Sequence, residues 1–272
     1  MESLKGFKKK KNWVIIPVFL WIFVYVLQCQ WAHRNDKSTS KIEKVPLTKE
    51  TDYHTFFLQT GLGEDAVDVL LQKGDIKKLE AVQEAFLEKD NVECIPVLGW
   101  FTRSDRIESN ESTPLVDLRP GDILLSFSTH SLGWRHGHAG LVIDEKQVLE
   151  CTSWGKDSRI VKSKHWRKYS NYAVLRVKNA TVSEQQEVAK FAEKYLQGVP
   201  YHLSAGFLGA KAPETAKPYF GLQCAYVVWY AWQAFGYDLD SNGGRLVTVK
   251  DIWESDLLEI VQVYGMEPPR NN

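Results

Sequence analysis

The sequence predicts an α+β protein, and three observations carry that prediction. Short apolar runs rich in Val, Ile and Leu, at Asp122 to Phe127, Ala139 to Ile143, Val148 to Cys151 and Tyr172 to Val177, have the length of strands. Stretches with helical spacing lie before and after this block instead of alternating with each strand, which argues against βαβ units. Finally, 272 residues with 44% hydrophobic and 25% charged side chains can bury a sizeable core. That composition excludes whole-chain disorder, a collagen-like fibre and a multi-span membrane protein.

At the amino terminus, Lys5 and Lys8 to Lys11 precede an uncharged stretch from Asn12 to Ala32 whose apolar heart, Trp13 to Leu27, is interrupted only by Pro17. That heart is shorter than the roughly 20 residues a membrane span needs. Trp13 and Trp31 stand where interfacial aromatics belong, so the full stretch is long enough to cross. Residues 1–34 are therefore expected to be an uncleaved signal anchor. A cleaved signal wants small residues before the cut, and Gln28 precedes Cys29 where a lipoprotein signal has a small residue. The lysines before the segment outnumber Arg34 and Lys37 beyond it, which predicts a cytoplasmic amino terminus and an extracytoplasmic body at the cell membrane.

Residues 35–50 are polar and read as a tether. A helical subdomain is expected over 51–112: Val67, Leu70 and Leu71 share one face, Leu79, Val82, Ala85 and Phe86 another, and Gly74-Asp75 breaks the run and caps the second helix. The polar stretch Arg103 to Thr113 closes it. Residues 113–272 hold the four apolar runs, a helix from Ser183 to Leu196 with Ser183 as cap, an aromatic helix from Cys224 to Phe235 ending at Gly236, and a last strand from Leu258 to Tyr264.

Charge narrows the partners. Lys+Arg and Asp+Glu are equal at 34 each, and setting aside the first eleven residues, with five lysines and Glu2, leaves 29 basic against 33 acidic. No broad basic surface for phosphate backbones is implied, so no nucleic-acid partner is expected. The four cysteines, Cys29, Cys94, Cys151 and Cys224, are too scattered for a disulfide framework and show no C-x-x-C pair.

Cys224 opens its helix, where unpaired backbone N–H groups and the positive end of the dipole favour a thiolate. His138 in Trp134-Arg-His-Gly-His138-Ala-Gly-Leu-Val enters a strand beside the small Ala139 and Gly140, the setting for a general base. Glu150 lies twelve residues later, and a hairpin centred on Asp144 would set it opposite His138 as the orienting third member. Cys151 sits at a strand end without a helix and, by alternation, points away from Glu150. Cys94 reads as a core residue and His165 as a surface one. His136 and His138 on one strand face raise a metal reading, but no acidic or thiol ligand has convincing spacing, so neither metal nor other cofactor is expected.

These and neighbouring segments resemble a known family. Gly198-Val-Pro-Tyr201, then Cys224 heading an apolar helix that ends in Gly236-Tyr-Asp-Leu239, looks like the signature of NlpC-type cell-wall cysteine peptidases. The His138-Ala-Gly-Leu-Val-Ile strand with a polar residue twelve positions on looks like their histidine strand and third catalytic residue. Histidine before cysteine is the order of the circularly permuted branch typified by YiiX and YaeF, as are Gly121-Asp-Ile-Leu-Leu125 and Thr248 to Ser255. The resemblance spans Leu118 to Tyr264. It implies a permuted papain-like fold with an antiparallel sheet and nucleophile-bearing helix, Cys224 as nucleophile, His138 as base, Glu150 as orienter, and Tyr201 lining the site. Ala225 and Gln223 replace the family's serine and acid beside the nucleophile, which bears on substrate contacts. With His136 as a loop residue near the site, the expected substrate-contacting set is Tyr201, His136 and Gln223. The function expected is a thiol hydrolase or amidase acting on an amide or related acyl bond, in peptide or cell-wall substrates. The alternatives are a lipid-directed acyltransferase or thioesterase, or a non-catalytic binding domain.

Overall fold

The computed structural model describes residues 42–88, 91–98, 102–107, 114–131, 133–205, 218 and 221–267. The expected signal anchor lies outside them. Among the described residues, no helix is long and apolar enough to cross a membrane.

Among the described residues, three short helices come first: α1 (Tyr53–Thr60), α2 (Glu64–Lys73) and α3 (Ile76–Leu87). Asp52 caps α1 and Asp75 caps α3 through side-chain oxygens that accept from backbone N–H groups three residues on. Gly61 and Gly74 end the first two helices in the left-handed conformation. The segment after α3 departs from the expected helical subdomain. Strands β1 (Val92–Leu98) and β2 (Thr102–Ile107) form an antiparallel pair, and β4 (Thr129–Ser131) adds to β2, making a small three-stranded sheet. The polar stretch beginning at Arg103 is thus partly strand. Its charged side chains hide the alternation by which a strand is read from sequence.

The main sheet is antiparallel throughout. It comprises β3 (Ile123–Ser126), β5 (His138–Asp144), β6 (Gln147–Glu150), β7 (Arg159–Lys162), β8 (Tyr172–Val177) and β9 (Leu258–Tyr264), in the order β7-β6-β5-β3-β8-β9. A 3-10 helix, Ser163–Lys168, links β7 to β8. Helices α4 (Val182–Leu196), α5 (Cys224–Gln233) and α6 (Val249–Trp253) are the remaining helices of the described residues. Thr181 rather than Ser183 caps α4, in a reciprocal capping box with Glu184. The protein is α+β with antiparallel sheets.

Central strands are apolar at successive positions because both sheet faces are covered. Ile123, Leu125, Leu141 and Leu175 pack with Trp229 and Trp232 of α5 and Val188 of α4. Leu124, Val142, Val148 and Val174 pack on the other side with Phe56, Val67, Leu70 and Leu79 of the amino-terminal helices. Alternate residues of one strand therefore feed two cores. Arg176, buried in β8, ties these layers together: its Nε and Nη2 each donate to Asp122 at 2.8 Å, and Nη1 pairs with Asp65 of α2. Burial pushes the Asp122 carboxyl up despite this bidentate cation, so the pair is a costly one to break.

Candidate active site

The site lies where the first turn of α5 meets the start of β5. Gln223 is the helix cap, and its Oε1 accepts from Ala225 N at 2.9 Å while its Nε2 donates to Val247 O at 2.6 Å. Both ends of the amide are thus engaged inside the protein, and Gln223 holds the helix start rather than presenting a free amide to substrate. Cys224 comes next, half-buried, with its thiol 3.6 Å from Gln223 Oε1.

His138 approaches from the sheet. The hairpin register differs from the one expected: Glu150 pairs with Gly140, not with His138, because the turn is Glu145-Lys146 and a bulge falls between Val142 and Asp144. Since Gly140 is two residues from His138, the two side chains still share a face and meet diagonally. The Glu150 Oε1 lies 3.6 Å from His138 Nε2. Glycine at 140 makes this reach possible. A Cβ there would stand 3.2 Å from Glu150 Cγ and 2.8 Å from Val148 Cγ2.

The ring of His138 is held on further sides. Fully buried Trp166 stacks on it, with centroids 5.2 Å apart and planes at 9°, and the Tyr169 ring lies 6.3 Å away. Burial would lower the imidazole pKa, yet the nearby Tyr169, Cys224 and Glu150 together hold it well above the ordinary histidine range. Glu150 shows the converse. Burial would raise its carboxyl, but His138 and His165 bring it down to about 2. His165 Nε2 is 3.0 Å from Glu150 Oε1, and its Nδ1 donates to Lys162 O at 2.7 Å.

His165, Trp166 and Tyr169 were missed by sequence reasoning. They come from the 3-10 turn and its end, a segment whose lysines and arginine make it look like solvated surface. The usable signal was the spacing of three aromatic-ring residues, 165, 166 and 169, on a single turn. His136 lies apart from this contact, with Nε2 3.0 Å from Ser131 Oγ and its ring against Trp134. Tyr201 is half-buried beside Cys224, and burial with the neighbouring Cys224 and Cys151 pushes its phenol up. Its segment pairs with Leu222, just ahead of Cys224. Cys151, the rival thiol, is wholly buried, donates to Leu222 O at 3.4 Å, and is pushed up to about 12 by burial, then Cys224 and Asp157. It is inert by position.

Cys94 is not a plain core residue. It is half-buried on β1 and sits with Asp105 and His130 in a compact cluster on the small sheet.

No family model matches the sequence, and no curated protein matches it. Among solved structures, the crystal structure of metalloprotein yiiX from Escherichia coli O157:H7 is similar, with 20% identity, a TM-score of 0.42, and coverage of 56% of this chain and 99% of that one.

Proposed function

We propose that this protein is a cysteine-dependent hydrolase of an amide or related acyl bond, built on a permuted papain-like domain. The observation that supports it most is a buried His138 in contact with the Glu150 carboxylate and raised in pKa in part by the helix-start Cys224. His138 takes the thiol proton, and the thiolate attacks the acyl carbonyl. The tetrahedral oxyanion meets the Cys224 backbone N–H at the start of α5, which has no intrahelical acceptor, while the Ala225 N–H stays on Gln223 Oε1. Collapse breaks the acyl bond, His138 returns its proton to the leaving amine, and a thioester remains on Cys224. Water, deprotonated by His138, then releases the carboxylate product and restores the thiol. Glu150 stays ionised throughout and steadies the imidazolium. Tyr201 borders the acyl position.

The amino-terminal segment and its lysine asymmetry support a location outside the cytoplasm on a membrane anchor, which makes cell-wall peptides the first substrates to test. A second reading, transfer or hydrolysis of lipid acyl groups, draws on exposed Trp134, Trp154 and Leu203, carried by loops adjoining His138, Cys151 and Tyr201. Purified full-length protein is offered wall peptides, acyl lipids and thioesters, and intact-mass spectrometry looks for an acyl adduct on Cys224. The proposal expects an adduct from one class that is absent in Cys224→Ala. Turnover that persists in Cys224→Ala overturns it.

A further inference from the structure

Outside the site just described, one cluster of chemically capable side chains among the described residues has no role in the mechanism. Cys94 of β1 and Asp105 of β2 are register partners, and His130 of β4 lies diagonally across from Asp105. Asp105 and His130 are buried and Cys94 is half-buried, so the cluster is shielded yet open on the thiol side. Cys94 Sγ is 3.6 Å from His130 Nε2, and that same nitrogen is 3.3 Å from Asp105 Oδ1.

This geometry discriminates between two chemistries. In a Cys-His-Asp catalytic triad one ring nitrogen serves the thiol and the other the carboxylate. Here a single nitrogen faces both, so the ring has no way to relay a proton between them. Three donor atoms converging on one point are instead what a metal ion needs. Zinc bonds of about 2.3 Å to sulfur and about 2.0 Å to nitrogen and oxygen, at tetrahedral angles, place S and N about 3.5 Å apart and N and O about 3.3 Å apart. The observed separations are 3.6 and 3.3 Å.

We propose that Cys94, Asp105 and His130 form a tetrahedral binding site for a zinc-class divalent cation, with the fourth position open to water or another small ligand. One thiolate, one carboxylate and a neutral imidazole balance the charge of the ion, which suits a buried setting. Arg135 donates from Nη2 to the far oxygen, Asp105 Oδ2, at 2.7 Å, leaving Oδ1 for the metal as an outer-shell partner does. The Arg103 guanidinium is the adverse neighbour, but it is anchored on the Cys94 carbonyl at 2.9 Å. A bound ion would fasten the β1–β2 hairpin to the strand that leads, through Arg135 and His136, into His138.

Cobalt(II) is the probe. Chelator-stripped full-length protein is titrated with Co²⁺ and read by absorption. The site predicts one equivalent with intense tetrahedral ligand-field bands and a thiolate-to-cobalt charge-transfer band, both retained in Cys224→Ser. Loss of an outer-shell partner alone typically weakens a site about 10–100-fold, so Cys94→Ser and His130→Ala should weaken binding at least that much. Octahedral or absent bands, a signal untouched by Cys94→Ser, or one lost in Cys224→Ser would each overturn the proposal. Because the variants can fail to fold, a second measurement uses the wild-type chain: stoichiometric Zn²⁺ should slow alkylation of Cys94, mapped by mass spectrometry, and an unchanged rate would overturn the proposal equally.

Discussion

The pair His138–Glu150 sets the residue scale, because each holds the other in its charged form against burial. Replacing Glu150 with glutamine removes the negative charge while keeping an acceptor. An opposite charge at this range typically accounts for about 1 to 3 pH units, so the His138 titration, followed by imidazole nitrogen NMR, should fall by that order in Glu150→Gln. The same pair links stability to pH. A carboxyl held at about 2 in the folded protein, below its ordinary 4.5, contributes stability that is present above pH 4.5 and lost as pH falls toward 2. Glu150→Gln should therefore flatten the acid limb of a denaturation profile across that window. His138 has the opposite sign: its contribution is complete below about pH 6.5 and fades as pH rises through its elevated folded value. That Cys224 opens a helix and His138 opens a strand of small residues was legible in the sequence because both are local signals. His165 and Trp166 were not, since what places them is packing under a turn whose sequence reads as charged surface.

At the element scale the β5–β6 hairpin decides whether Glu150 can act. Chain spacing alone centred its turn one residue early, because a bulge leaves no mark in an apolar run. The diagonal contact then depends on Gly140, over which Glu150 extends. Gly140→Ala puts a methyl group 2.8 Å from Val148 Cγ2, an overpacking that typically costs about 1–3 kcal/mol, and it should also lower the His138 titration by displacing Glu150. Chemical denaturation and the same NMR titration check both outcomes. The small sheet shows the other limit of sequence reading. β2 carries Arg103, Asp105 and Arg106, and its partners are set by tertiary pairing with β1 and β4, so neither the strand nor the convergence of Cys94 with His130 could be read from spacing.

For the whole molecule, the α+β class was legible because runs of consecutive apolar residues mark strands covered on both faces. How the amino-terminal helices cover one of those faces was not, because it rests on the buried Arg176 bridging Asp122 and Asp65 across distant segments. Truncating that cation leaves the Asp122 carboxylate buried without its bidentate counter-charge, held among the described residues only by the Arg119 N–H, and Arg176→Ala should destabilise the fold by about 3–5 kcal/mol in equilibrium unfolding. At the largest scale, protease added to intact cells should digest the body of the protein from Lys37 onward if the lysine asymmetry sets its orientation. Digestion only after lysis would reverse that topology.

The claim that Cys224 is a thiol activated by His138 is tested most directly by its rate of alkylation. Full-length protein is treated with iodoacetamide at neutral pH, and modification at each cysteine is followed by peptide mass spectrometry in the wild type and in His138→Ala. An activated Cys224 should react far faster than buried Cys151, whose thiol is pushed up to about 12, and His138→Ala should remove most of that advantage while leaving Cys151 unaffected. A Cys224 that reacts no faster than Cys151 in the native protein, or as fast without His138 as with it, would contradict the claim.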